Sequence, residues 1–341
     1  MGFFSSEIGI DLGTSNVLFY VAGQGIKLRE QSLAIVRGDS SRKVLAFGTE
    51  AGEMWGRIPP GHAEVKPIRQ GVIADYDLVE MMLRAFLRLA IGVNHLSRPR
   101  TVLTVPAEIT DMERRAVTGA VKQAGMRLSH VVEAPIAAAL GCGLPVYDPV
   151  GSMIVDVGAG TTEVAVLSMG SMVVGKTIRV GGDDMDLAIM ERLKKERNME
   201  VGLHMAESIK VDLGCAMPRE DVQRAMARGR DIVTGLPKTI ELDSTLVYEA
   251  LRESLQEILS AVLWVLERTP PELGADVMRT GIHMTGGSAQ LFRLDQFIAV
   301  ETGIPVQVAR NPMDCAVLGA GYLARNLELL ERIGKNHPLT E

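Results

Sequence analysis

The sequence predicts an α/β protein built from two related halves. Three observations carry that prediction. Strand-like and helix-like segments alternate along the chain, and a strand–glycine turn–strand unit recurs 145 residues on, counting from Asp11 to Asp156. The 341 residues also suffice for two domains that each bury a core.

The first unit is a hairpin, with Glu7 to Asp11 and Asn16 to Val21 as strands and Leu12-Gly-Thr-Ser as the turn. Leu78 to Ile91 is apolar almost all round and predicts a helix buried on most faces. A strand from Thr101 to Val105 follows. Thr110 to Ala124 then places Val117, Ala120 and Val121 on one face and Arg114, Arg115 and Lys122 on the other, an amphipathic helix. His130 to Glu133 reads as a strand leading into a small-residue helix, Pro135 to Leu140. After a Pro- and Gly-rich stretch from Gly143 to Gly151 the pattern restarts, with Ser152 to Asp156 and Glu163 to Leu167 flanking Gly158-Ala-Gly-Thr. Beyond it lie a strand (Val173 to Val180), two helices (Met185 to Arg197 and Met205 to Leu213) and a β-rich stretch from about Asp221 to Val247. A long helix, Val247 to Arg268, is stopped by Pro270 and Pro271. Gly281 to Thr285 is a strand ending in Gly286-Gly287-Ser288, followed by a helix, a short strand near Val306 and a last helix, Cys315 to Leu330.

Composition removes several classes of function. Charged residues are 23%, the net charge is −6 and no long basic run occurs, so nucleic acid is not an expected partner. No stretch has the roughly 18 uncharged apolar residues of a membrane span. Cys142, Cys215 and Cys315 lack metal-ligand or disulfide spacing, the six histidines are scattered, and no signal peptide opens the chain, which together point to the cytoplasm.

The chemistry lies in the turns. Glycine-rich tips expose backbone N–H groups that a polyphosphate can approach closely, and Thr14, Ser15, Asn16, Gly160 and Thr161 stand at two of them. Asp11 and Asp156 precede the tips, and a carboxylate beside a phosphate implies an intervening cation or its waters, Mg²⁺ being the economical choice. Each turn alone is an ordinary hairpin feature. Their joint order, with Thr285-Gly286-Gly287 as a third, is the pattern of the superfamily of actin, sugar-kinase and heat-shock-chaperone ATPases.

Within that superfamily the chain resembles the MreB family of bacterial actins, Mbl-type members included. Ile8-Gly-Ile-Asp-Leu-Gly-Thr-Ser-Asn, Gly71-Val-Ile-Ala-Asp-Tyr, Ile109-Thr-Asp-Met-Glu-Arg-Arg-Ala, Gly158-Ala-Gly-Thr-Thr-Glu-Val-Ala-Val, Leu266-Glu-Arg-Thr-Pro-Pro-Glu-Leu and Asn311-Pro-Met-Asp-Cys carry the likeness over nearly the whole chain. It implies an actin-like ATPase fold of two related domains, each with a large and a small subdomain, around a nucleotide cleft. Domain I would span 1–145 (small subdomain about 33–65), domain II 146–313 (small subdomain about 181–240), and 314–341 would return to domain I as a C-terminal helix. It further implies ATP, or GTP, with Mg²⁺ in the cleft. Polymerisation into paired filaments on the inner face of the cytoplasmic membrane and work with the cell-wall elongation machinery complete the expectation.

Residue by residue, the resemblance puts Thr14, Ser15 and Asn16 in the first phosphate turn and Ala159, Gly160 and Thr161 in the second. The base- and ribose-contacting segment is Glu207, Ser208, Ile209 and Lys210, the last turn is Gly286, Gly287, Ser288 and Ala289, and Asp11 and Asp156 fall on the metal side. Phe3, Phe4 and Leu96 match apolar membrane contacts. Three departures stand out. Ala159 and Ser288 replace glycines, which is tolerable where φ is negative. Glu133-Ala134-Pro135 stands where relatives have Glu-Glu-Pro, so the water-orienting position is an alanine. An at most slow ATPase is expected, with Glu133 as the candidate substitute beside Thr161. A kinase without filaments would need an acceptor pocket near Glu108, and a chaperone-type ATPase a peptide-binding domain after the core.

Overall fold

The computed structural model describes residues 7–38, 43–92, 98–326 and 328–330. Phe3, Phe4 and Leu96 lie outside the described residues.

Two five-stranded sheets share one topology. The first is built from β1 (Glu7–Leu12), β2 (Asn16–Val21), β3 (Gly25–Gln31), β4 (Arg100–Val105) and β5 (Arg127–Glu133), in the order β5-β4-β1-β2-β3. The second uses β6 (Ser152–Val157), β7 (Thr162–Ser168), β8 (Ser171–Ile178), β9 (Ile282–Thr285) and β10 (Val306–Val308), in the order β8-β7-β6-β9-β10. Each is an antiparallel three-strand meander extended on its first strand by two parallel strands. Parallel additions need crossovers, and helices provide them. The crossover from β3 to β4 contains α1 (Tyr76–Ile91), and α2 (Asp111–Gln123) joins β4 to β5. Thr110, the first residue of the expected helix, is the N-cap of α2 in a capping box with Glu113, so the helix proper begins one residue later, at Asp111.

A short helix, α3 (Ala134–Gly141), leaves β5 directly, with Pro135 in its first turn and Glu133 as N-cap. In the second half α4 (Gly182–Arg197) and α5 (Leu203–Leu213) precede a three-stranded sheet that includes Arg224–Asp231 and Pro237–Asp243. The long helix α6 (Ser244–Arg268) begins inside the stretch expected to be β-rich. Asp243 stops the strand by capping the helix through its carboxylate. Pro270 and Pro271 do end that helix, yet Pro271 also opens another, α7 (Pro271–Thr280), because a proline at the first helical position removes only a donor that lacks a partner anyway. The last two helices are α8 (Leu294–Thr302) and α9 (Cys315–Arg325), the latter ending five residues before the expected Leu330.

The three largest of five apolar clusters among the described residues hold this together. Ile8, Ile10, Phe19, Met82 and Phe86 centre the first half, and Met153, Met185, Ile189, Leu251 and Ile258 the second. The third cluster joins them. Ile136 and Ala137 of α3 and Ala320 and Leu323 of α9 pack with Val102 of the first sheet and Ile154 and Leu167 of the second. The seam is therefore rich in alanine on two helices, and one end of it, at Ala134 and Ala316, opens on the cleft.

Candidate functional site

The hairpin tips β1–β2 and β6–β7 face each other across a cleft of about 570 Å³. They are built alike: Gly13 N–H donates to the Asn16 carbonyl at 3.0 Å, and Gly158 N–H donates to the Thr161 carbonyl at 2.9 Å. The approach is close. A β-carbon on Gly160 would lie 2.5 Å from Thr14 Oγ1 and 2.9 Å from the backbone of Gln70, so only glycine lets the tips meet. Thr14 Oγ1 in turn accepts from Gly71 N–H at 3.0 Å, which fixes its rotamer. Thr14, Ser15, Asn16, Ala159, Gly160 and Thr161 all border the cleft.

Behind the tips sit the carboxylates. Thr104 Oγ1 donates to Asp11 at 2.6 Å and Thr285 Oγ1 donates to Asp156 at 3.1 Å, each threonine coming from the neighbouring parallel strand. Burial raises the Asp11 carboxyl; burial and then the nearby Asp11 push Asp156 up to about 7. Glu163 is the cross-strand partner of Asp156 and also borders the cleft. Ala107 N–H donates to its Oε1 at 2.6 Å and the Thr177 hydroxyl at 3.2 Å. Burial is the main cause lifting it to about 8, with Asp156 adding to it.

The wider lining comes from α5 and the turn after β9. Glu207 and Lys210 border the cleft together, one turn apart on α5, whereas Ser208 is exposed and Ile209 is buried in the core, as 100° per residue requires. Lys210 Nζ donates to the Gly182 carbonyl at 2.8 Å and to Asp186 at 2.9 Å; burial still holds Asp186 up at about 6. Gly286 has φ +86, and a β-carbon there would meet Asp156 Oδ1 at 2.6 Å. Gly286, Gly287 and Ser288 border the cleft, while Ala289 is buried beneath it.

The two glycine departures are accommodated without strain. Among the described residues, non-glycine positive φ occurs at Gln70, Met169, Asn198 and Arg293, and not at Ala159 or Ser288. Ser288 Oγ donates to the Gly158 carbonyl at 2.9 Å, so its hydroxyl ties the third turn to the second tip. Ala134 borders the cleft with its methyl group, and Glu133, buried at the end of β5, does not. Between the two halves, Lys66 pairs at 2.9 Å with Asp183, which borders the cleft, and the rings of Trp55 and His204 stack with centroids 6.0 Å apart. These four residues, Glu163, Arg219 and Phe292 escaped the sequence reading. Only Glu163 carried a signal there, being part of the Gly158 to Val166 motif.

The raised carboxylates have a measurable consequence. A group whose pKa rises from 4.5 to about 8 on folding, as for Glu163, binds more protons folded than unfolded between those values. Stability therefore falls as pH rises through that window, and Asp186, rising from 3.8 to about 6, acts with the same sign at its lower end. Urea unfolding of ligand-free protein should show stability declining from about pH 5 to pH 8, with Glu163→Gln flattening the upper part. An unchanged profile in that variant would remove Glu163 as the cause.

Two topologically equivalent halves, paired tips and a cleft between them define an actin-like fold. The comparisons with known proteins say which kind. A family model for MreB/Mbl proteins matches residues 5–332. The chain is 42% identical over 329 residues to the cell shape-determining protein Mbl of Bacillus subtilis, covering 96% of this chain and 98% of that one. It is 42% identical over 338 residues to the cell shape-determining protein MreB of Escherichia coli, covering 98% and 96%. The crystal structure of MreB 5 of Spiroplasma citri bound to AMPPNP superposes with a TM-score of 0.90 at 31% identity, covering 98% of this chain and 100% of that one. The chain belongs to the MreB/Mbl family of cell shape-determining actin homologues.

Proposed function

We propose that this chain binds ATP in the cleft and polymerises into paired filaments on the inner face of the cytoplasmic membrane, where it organises the cell-wall elongation machinery. The observation that carries nucleotide binding is the pair of equivalent glycine tips meeting over one cleft, with a buried carboxylate behind each. Adenine nucleotide in the Spiroplasma relative supports it. Thr14, Ser15, Asn16, Ala159, Gly160 and Thr161 would donate to the phosphates, with Glu207 and Lys210 toward the ribose and base. The domains would divide near residue 145, with small subdomains about 33–65 and 181–240 and the stretch from 314 returning to the first domain.

Mg²⁺ fits the donor set. Among the described residues no three carboxylate, His or Cys groups converge as a direct ligand set. Asp11 and Asp156 each have one oxygen engaged by a threonine and repel one another as like charges, so these two carboxylates would hold a hydrated dication, which would relieve that repulsion. When bound, the metal would neutralise phosphate charge. The chain's own part is to hold the triphosphate and exclude bulk water. With a methyl group at Ala134, the in-line water lacks a carboxylate there, so hydrolysis is slow. Membrane contact through Phe3, Phe4 and Leu96 is part of the same proposal. Among the described residues no helix is long and apolar enough to cross a membrane.

Electron microscopy with and without ATP and Mg²⁺ tests the assignment: paired filaments are expected with nucleotide. Nucleotide-bound monomers at every protein concentration would overturn it and return the kinase and chaperone readings.

A further inference from the structure

Two thiols that no spacing in the sequence pairs are brought together where the halves join. Cys142 is the C-cap of α3 and Cys315 opens α9. The two helices cross there main chain to main chain: a β-carbon on Gly141 would overlap the Cys315 carbonyl and lie 2.9 Å from the Cys315 α-carbon. Both cysteines belong to the seam, Cys315 inside its buried core and the half-buried Cys142 packed against it. The two thiols are hydrogen-bonded to each other, and Cys315 Sγ also lies 3.4 Å from the Asn311 carbonyl, so the one proton of Cys315 points either to sulfur or to that oxygen. The bond between the thiols lowers Cys142, while the same bond and then burial raise Cys315. Negative charge therefore settles on Cys142, the sulfur nearer solvent. The third cysteine, Cys215, is buried in the second half with its Sγ 3.8 Å from the Ser244 carbonyl.

We infer that Cys142 and Cys315 are an oxidation site: free thiols in the reduced chain, closed by hydrogen peroxide into a disulfide that fastens α3 to α9. A disulfide needs α-carbons within about 7 Å of each other, and a main-chain crossing at the neighbouring residue brings the two cysteines to that range without moving either helix. The Cys142 thiolate attacks one peroxide oxygen. An S–O bond forms, the O–O bond breaks, and the departing hydroxide takes up a proton as water, leaving Cys142 as a sulfenic acid. Cys315 sulfur then attacks Cys142 sulfur. The S–S bond forms as the S–O bond breaks, and the second hydroxide leaves with the Cys315 proton as water. Two thiols have given up two electrons and two protons, and one peroxide has become two waters. The half-buried Cys142 sulfur stays open to attack by a reducing thiol, so the closure is reversible. Its effect falls on the joint between the halves, because α3 and α9 both pack with strands of the two sheets. It acts there whatever occupies the cleft.

The test treats the folded, reduced full chain with a small excess of hydrogen peroxide, then alkylates it in denaturant and weighs it intact. All three thiols should label before oxidation and only Cys215 after it, with a digest yielding one peptide pair joined through Cys142 and Cys315. The thermal midpoint of the oxidised chain should rise by about 5 °C, the effect of one cross-link closing a long loop, and dithiothreitol should return it. Cys142→Ser and Cys315→Ser should each abolish both the link and the rise, whereas Cys215→Ser should keep both. Cys142→Ser replaces a half-buried side chain and carries the comparison alone if Cys315→Ser fails to fold. Sulfinic or sulfonic acid at Cys142 with Cys315 still open to alkylation would overturn the inference. So would a link between two chains in place of one within a chain, or a joined pair whose midpoint does not rise. None of these readouts involves nucleotide, so failure here leaves the functional reading standing, and failure of that reading leaves the thiol pair.

Discussion

Replacing Ala134 with glutamate should accelerate phosphate release in single turnovers by about two to three orders of magnitude, at about 1.4 kcal/mol of barrier per decade. Ala134 is the first residue of α3 and borders the cleft beside Thr104, Val105 and Pro106. A carboxylate there would sit at a helix N-terminus, where the dipole favours negative charge, and would point at the space a γ-phosphate leaves open toward water. What the alanine lacks is an acceptor that orients that water in line. The neighbourhood sharpens the expectation. Glu163 is protonated up to about pH 8 in the ligand-free cleft and has Oε1 already engaged by Ala107 N–H and the Thr177 hydroxyl, so it is poorly placed to accept a proton. Glu133 is turned out of the cleft lining. Nucleotide affinity should change little, because Ala134 is absent from both phosphate tips. The measurement is phosphate release from preloaded protein with a phosphate-binding reporter. Equal rates in the unaltered chain and in Ala134→Glu would show that hydrolysis here does not run through this position.

How much of this was legible in the sequence depends on how local each feature is. The two tips were readable because a glycine turn between apolar strands is encoded within a few residues, and the repeat from Asp11 to Asp156 multiplied a signal that was weak singly. The same holds for α2, whose amphipathic stripe and capping box lie within fourteen residues from Thr110 to Gln123. Misreadings occurred where one local rule concealed another. Pro271 was taken only as a helix stop, although proline also starts helices, and Ser208 and Ile209 entered the site as members of a contiguous segment although helical geometry turns them away from Glu207 and Lys210. Long-range pairs left no trace. Lys66 and Asp183 are separated by 117 residues, and Arg219 meets Phe292 only because a bridge at Cys215 brings two loops together. Glu163 lay inside a quoted motif, but its standing as a protonated carboxylate comes from burial and from Asp156 across the strand pair, which no spacing rule reports.

Gly319→Ala should destabilise the protein by about 2–3 kcal/mol, the cost of overpacking a close contact that only the backbone can relieve. The expected sign is the informative part. Glycine inside a helix is worse than alanine by roughly 1 kcal/mol, so on propensity alone the substitution would stabilise α9. At this position a β-carbon would overlap the Ala137 carbonyl of α3, and at Gly141 one would overlap the Cys315 carbonyl of α9. The two helices thus touch backbone to backbone, each supplying a glycine, and α9 makes a third such contact where Gly9 of β1 lies against Gly321. No side-chain rotation can absorb a methyl group between two main chains. Gly274 of α7 supplies the control, since its nearest neighbour for an added β-carbon is Thr269 Cγ2 at 4.0 Å. Gly274→Ala should therefore stabilise by a few tenths to about 1 kcal/mol, the opposite sign for the same chemical change. Urea midpoints of the two variants decide the matter, and a gain in stability for Gly319→Ala would refute the close-contact account. The seam also reaches function: Ala134 begins α3 and Ala316 lies near the start of α9, and both border the cleft. Forcing the helices apart at Gly319 should then weaken nucleotide binding as well, and saturating nucleotide should recover part of the lost stability by mass action.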